Sequence, residues 1–151
     1  MALWGERVVI ALPERHPLTA NEIIYWTDLK RERFTLSKRD PGSEFQNILA
    51  SKLASLGELP DVMRHDVSVE NIRGLIGVGR GITLMCEASV GASHAGVIYR
   101  EVHDGNGATR IVYSALWEDR NKNPTLRIFI RLLEERCPPV ANGNGARGAS
   151  S

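Results

Sequence analysis

The chain has few of the features that mark secreted, membrane-bound or nucleic-acid-gripping proteins. Its 151 residues include only two cysteines, Cys86 and Cys137, too few for a disulfide framework. The start, Met1-Ala2-Leu3-Trp4-Gly5-Glu6-Arg7, lacks the basic residues, apolar run and small-residue cleavage site of a secretory signal. No apolar run approaches the ~18 residues of a membrane span. Charge of one sign is also missing: 19 Lys+Arg face 18 Asp+Glu, a net +1. A basic stripe that would hold a phosphate backbone is therefore not expected. What is present is ordinary, with 42% hydrophobic and 25% charged residues, values typical of a globular protein of one domain's length. These features lead us to expect a cytoplasmic chain with reduced thiols, no membrane contact and no DNA contact of its own.

Apolar periodicity organises most of the length. Arg7 to Leu12 is a short apolar run rich in β-branched residues, stopped by Pro13, the pattern of a buried strand. Thr27-Asp28-Leu29 can open one helical turn, and Phe34 to Ser37 is a second strand candidate. Phe45, Ile48, Leu49, Leu53 and Leu56 recur at helical spacing up to Gly57, a natural stop. Two starts compete for this helix: Ser43 as N-cap with Gln46 completing a capping box, or Asp40 with Pro41 at the first helical position. The unit then repeats. Val62 to Val67 reads as a strand, Ser68 as an N-cap, and Val69, Ile72, Leu75 and Ile76 as a helical stripe closed by Gly77, Gly79 and Gly81.

Ile82 to Met85, Val97 to Val102 and Arg110 to Trp117 are further strands. Asn123-Pro124 caps a last helix carrying Leu126, Phe129, Ile130 and Leu133 on one face. From Pro138 onward Asn, Gly, Ala and Ser dominate, and this tail is expected to be disordered. Strands alternating with helices of about three turns predict an α/β fold with a largely parallel sheet.

Most chemical motifs are missing. The cluster Gly77-Val78-Gly79-Arg80-Gly81 closes a helix and precedes a strand, the reverse of a dinucleotide loop. The histidines at 16, 65, 94 and 103 and the cysteines show no paired metal-ligand spacing. Cys86 follows an apolar strand and reads as a small buried hydrophobe. No Gly-x-Ser-x-Gly elbow is present. The expectation is no catalytic residue, no metal and no cofactor.

One constellation suits binding. Ser37, Lys38, Arg39 and Asp40 stand between a strand end and a helix start, and Val67, Ser68 and Val69 take the same place in the next unit. Ligands of α/β sheets settle beyond strand C-termini, where helix N-termini offer N–H groups. Lys38 and Arg39 would add charge, and arginine can grip a carboxylate through two hydrogen bonds. A small anion is thus a sensible ligand. The competing reading is that Ser43 and Ser68 only cap helices and Lys38-Arg39 is a solvated pair.

Four stretches converge on one family. Val8-Val9-Ile10-Ala11-Leu12-Pro13-Glu14-Arg15-His16-Pro17-Leu18, Trp26-Thr27-Asp28-Leu29, the segment Leu75 to Leu84 (LIGVGRGITL) and the segment Trp117 to Ile130 (WEDRNKNPTLRIFI) together resemble the effector-binding region of LysR-type transcriptional regulators. The resemblance runs from about Leu3 to Arg136. It implies a fold like that of type II periplasmic binding proteins, a mixed, largely parallel sheet flanked by helices, with two subdomains around a cleft.

By that analogy residues 7–12 and 110–117 are the crossing strands, residues 13–109 form the second subdomain, and the helix at 124–136 belongs to the first. Ligand contacts are implied for the loop Ser37 to Phe45 and for Val67 to Val69. The winged helix-turn-helix, linker helix and most of the first subdomain of such regulators have no counterpart in this sequence.

Two functions are therefore expected. In the first, the chain is the sensory part of a regulator that binds a small effector such as a carboxylate, and reaches DNA only through an N-terminal domain of its full-length parent. In the second, it is a naturally short regulator half acting through protein association. The apolar face of the last helix predicts a homo-oligomer, since exposing it forfeits roughly 1.5–3 kcal/mol per large side chain. With one wall of the cleft present, ligand binding is expected to be weak.

Overall fold

The computed structural model describes residues 2–91, 93–114, 120 and 122–136. Cys137, the tail beyond it and residues 115–117 of the last expected strand lie outside these described residues. The chain divides into two units, one formed by Glu6–Arg110 and the other by residues 1–5 and 111 onward.

The larger unit is an α/β layer structure. Its strands are β1 (Ala2–Pro13), which enters this unit at Glu6, β2 (Ile23–Tyr25), β3 (Arg33–Ser37), β4 (Asp61–His65), β5 (Thr83–Cys86), β6 (Val97–Asp104) and the short β7 (Gly107–Ala108), with helices α1 (Gly42–Ala54) and α2 (Val69–Gly77). One sheet runs β2-β6-β1-β5. β1 is antiparallel to both neighbours, with Val9 opposite Met85 on β5 and opposite Glu101 on β6. β2 runs parallel to β6. β3 and β4 form a parallel pair, Phe34 opposite Val62 and Ser37 opposite His65.

The two sheets meet at a parallel bridge between Phe34 and Ile82. There Thr35 N donates to Ile82 O at 2.8 Å and Ile82 N donates to Arg33 O at 3.0 Å. The fold is α/β with mixed pairing: β3 with β4 and β2 with β6 are parallel, while β1 with its two neighbours and β6 with β7 are antiparallel. Sequence periodicity did not single out β2 or β7, which are three and two residues long, too short to show a period.

Period two divides the buried residues of β1 between the sheet's faces. Val9 and Ala11 pack with Ile72 and Ile76 of α2, Met85 and Val97. Val8, Ile10 and Leu12 point the other way and are fully buried. α1 buries Phe45, Leu49 and Leu53 and packs on β3 and on the turn Trp26–Leu29. Trp26 is itself buried, and its indole N–H donates to Thr109 Oγ1 at 2.8 Å, the partner a buried tryptophan requires.

α2 begins as its sequence predicts, with Ser68 Oγ accepting from Asn71 N. α1 does not. It starts at Gly42 with Pro41 in the capping position and no side-chain cap, so Ser43 sits one residue inside the first turn and the expected capping box is not formed. Of the two competing starts, the one built on Asp40-Pro41 prevails, displaced by one residue. The chain turns directly off the end of β3, where Ser37 Oγ accepts from Arg39 N at 3.0 Å, and this early turn carries Pro41 to the helix entrance.

The glycines after α2 close the helix, as expected. Gly81 has φ +108, and a Cβ there would lie 2.6 Å from Thr35 Oγ1, so the side chain is absent where β3 and β5 approach.

In the smaller unit lie β8 (Arg110–Ser114) and α3 (Pro124–Arg136), which carries no buried residue. Thr125 N donates to Asn123 Oδ1 at 3.0 Å, matching the predicted Asn123-Pro124 start.

Candidate effector pocket

β3, β4 and β5 share a direction, so their C-terminal ends open on one side, where α1 and α2 begin. A cavity of about 240 Å³ lies there. Leu36, Pro41, Phe45, Val69, Ile72 and Leu84 supply apolar lining. Ser37, Thr83 and Cys86 enter from the strands, and Glu70, Arg73 and Ser89 from α2 and the turn after β5. The location follows the general rule for open α/β sheets. A larger, more open groove of about 790 Å³ includes Arg31, Arg33, Asp61 and Arg80. Its acids already have partners: Asp61 pairs with Arg33 and Glu32 with His16, each at 3.1 Å. It also lacks the start of α1 and of α2.

Of the nine residues the sequence singled out, the structure brings three to the cavity: Ser37, Phe45 and Val69. Ser37 is nearly inaccessible, and its hydroxyl donates to Val67 O at 2.5 Å. Val67 therefore serves through its carbonyl, by fixing the loop that leads into α2. Ser68 is occupied as the α2 cap. Lys38, Arg39 and Asp40 are exposed and are not among the lining residues. Arg39 Nε pairs instead with Asp66 Oδ1 at 3.2 Å, both side chains largely in water. Ser43 Oγ accepts from Arg64 Nη2 at 3.2 Å.

The cavity's own cation is Arg73, which sequence reasoning passed over. Its side chain is only 10% exposed. Nη1 lies 3.5 Å from Val90 O and 3.6 Å from Glu70 Oε2, and the buried Nε has no hydrogen-bond partner. A signal for it was available: at helical spacing Arg73 shares a face with Val69 and Ile76, four residues before and three after, so the apolar stripe predicts that it turns inward. Thr83 and Cys86 were hidden inside a continuous apolar strand.

Beside the cavity, Arg7 of β1 grips Glu87, the first residue after β5, through two guanidinium hydrogen bonds, and also reaches Glu101 on β6. The hydrogen bond from Arg7 holds the Glu87 carboxyl below the usual carboxylate range. This clamp ties the turn that carries Ser89 to two strands. Among the described residues no group of three His, Cys, Asp or Glu is placed to hold a metal, and no helix is long and apolar enough to cross a membrane.

Comparison with known proteins agrees with this fold. The family model for the LysR substrate binding domain matches residues 1–138. The HTH-type transcriptional regulator AlsR of Bacillus subtilis is 24% identical over 128 residues, which is 82% of this chain and 40% of AlsR. The effector-binding domain of QuiR, solved in complex with shikimate, superposes with a TM-score of 0.71 at 19% identity, covering 91% of this chain and 64% of that one. A full-length BenM E226K mutant gives 0.70 at 19% identity, over 89% of this chain and 45% of that one. The chain thus spans well under half the length of the curated relative.

Proposed function

The chain belongs to the LysR substrate-binding domain family, whose curated relatives are transcriptional regulators and not enzymes, and from that premise we propose that it is the effector-sensing part of a bacterial regulator acting in the cytoplasm. Its ligand is a small anion, received in the pocket at the ends of β3 and β5. That pocket is one wall of the inter-subdomain cleft in the complete sensor, residues 13–109 forming the second subdomain and the strands at 7–12 and 110–114 belonging to its crossing strands.

The observation that carries this reading is the convergence of an apolar cavity, the start of α1 without a side-chain cap and a buried arginine at one end of parallel strands. A helix N-terminus carries about half a positive charge, so the site has two sources of attraction for an anion. The QuiR domain, similar in fold, was solved with shikimate, itself a carboxylate. Ser37, Phe45 and Val69 line the site, Val67 and Ser68 hold its loop, and Lys38, Arg39, Asp40 and Ser43 form the outer rim that an incoming anion meets first. DNA binding belongs to an N-terminal domain of the full-length regulator.

An NMR titration of the chain with small organic anions tests this. Amide shifts centred on Ser37, Gly42, Phe45 and Val69 support it; binding with shifts confined elsewhere overturns it.

The second reading, action by protein association, draws on α3. Ile128, Phe129 and Leu132 are exposed there, whereas Leu126, Ile130 and Leu133 of the expected stripe are half-buried. Under either reading the chain assembles as a homo-oligomer through exposed apolar surface, and light scattering that finds only monomer at high micromolar concentration would count against assembly.

A further inference from the structure

We infer that Arg73 is the charge-recognising residue of the pocket and that the ligand is a compact monocarboxylate with an apolar body. This deepens, and rests on, the effector-pocket reading.

Charged side chains are almost never buried unless paired, and a buried donor without an acceptor costs as much as a lost hydrogen bond. Arg73 meets that rule only in part: its Nη1 donates to Val90 O at 3.5 Å and pairs with Glu70 Oε2 at 3.6 Å. Its side chain is nine-tenths buried, its Nε is unpartnered, and its nearest carboxylate, Glu70, stands at 3.6 Å with most of its own side chain in solvent. Glu70 is a loose counterion, free to leave. A ligand carboxylate could take its place and give the guanidinium the two-point hydrogen bonding its planar fork favours.

The rest of the lining sets the ligand's body. Phe45, Leu36, Ile72 and Leu84 offer apolar surface, and the volume of about 240 Å³ lies below the range of roughly 300–1,000 Å³ typical of sites for drug-sized ligands. Lys38 and Arg39 do not line this space. One buried arginine, half-answered by Glu70, matches one negative charge. A dianion would set its second charge against the half charge of the α1 N-terminus, which does not balance it.

The test compares cyclohexanecarboxylate with cyclohexanecarboxamide, which has nearly the same shape without the charge, by NMR titration of the 151-residue chain. The expected result is that the acid binds about tenfold more tightly than the amide, the scale of a charge-assisted hydrogen bond, with shifts at Ser37, Gly42 and Phe45. Arg73→Gln abolishes the preference and Arg73→Lys retains part of it. Glu70→Gln, at an exposed position that folding tolerates, tightens acid binding several-fold.

Equal binding of acid and amide at the pocket overturns the role of Arg73 while leaving the effector pocket standing. So does an acid preference that survives Arg73→Gln, or acid binding that Glu70→Gln fails to strengthen. Acid binding whose shifts avoid the pocket overturns both readings. Absence of acid binding up to the solubility limit overturns the monocarboxylate assignment alone.

Discussion

The hydroxyl of Ser37, the last residue of β3, donates to the carbonyl of Val67 at 2.5 Å and accepts from Arg39 N at 3.0 Å. One buried side chain thus ties together the two loops that lead into α1 and α2. Replacing it removes the hydrogen bond that each of Val67 O and Arg39 N makes with it. Ser37→Ala is expected to cost about 1–2 kcal/mol, seen as a lower urea midpoint with an unchanged slope. It also loosens the Val67–Val69 segment, so pocket ligands bind more weakly.

The two serines that the sequence offers as helix caps make a paired prediction. Ser68 accepts from Asn71 N, and Ser68→Ala is expected to cost about 1 kcal/mol, the usual loss for an N-cap. Ser43 lies inside the first turn of α1 and only receives a hydrogen bond from Arg64. Ser43→Ala should change stability by less than about 0.5 kcal/mol, as for surface positions generally. Denaturant unfolding of both variants decides it, and equal costs would mean that α1 starts at Ser43 after all.

How much of this was legible in advance follows from how local each signal is. The α2 cap, its stripe and its glycine stop depend on neighbours within a few residues, and period and cap chemistry expose them. Phe45, Leu49 and Leu53 were readable for the same reason. The start of α1 was not fixed, because two local signals competed and the turn at Ser37 decided between them through tertiary position. The place of the pocket followed from strand–helix order. Its membership did not: Lys38 and Arg39 are conspicuous in sequence but leave the cavity for solvent, while Arg73 hides among apolar residues and turns inward with them. Thr83 and Cys86 could be placed only once β5 had found β1 and the end of β3.

Asp104, at the end of β6, accepts from Lys52 Nζ of α1 and from Asn106 N, both at 2.8 Å. The Lys52 hydrogen bond, and next the backbone one from Asn106, hold its carboxyl below the usual aspartate range. The unfolded chain, with an aspartate pKa near 3.9, therefore binds this proton more readily than the folded one. The resulting stability is fully present above about pH 4 and is lost as pH falls through the folded value. Asp104→Asn should remove this contribution, giving an acid limb of the stability–pH curve shallower than that of wild type. Urea midpoints measured from about pH 3 to pH 6 check it, and an unaltered acid limb would mean the Lys52 contact does not survive in solution.

The last prediction concerns a glycine that positions the site. A Cβ on Gly42 would stand 1.9 Å from Ser37 O, a distance no pair of real atoms sustains, and the obstacle is backbone that cannot rotate aside. With alanine there, the first turn of α1 must move away from the end of β3, and Pro41, Gly42 and Phe45 all belong to the cavity wall. Overpacking of this kind costs about 1–3 kcal/mol, and the displacement also widens one side of the pocket. Gly57 is the control. Its φ of +78 strains any side chain, but a Cβ there meets nothing within 4 Å, so Gly57→Ala should cost about 1–2 kcal/mol and leave the cavity as it was. At matched loss of stability, Gly42→Ala is therefore expected to weaken binding of pocket ligands several-fold while Gly57→Ala does not. Equal affinities in the two variants would show that the close approach of α1 to β3 is packing alone and does not shape the site.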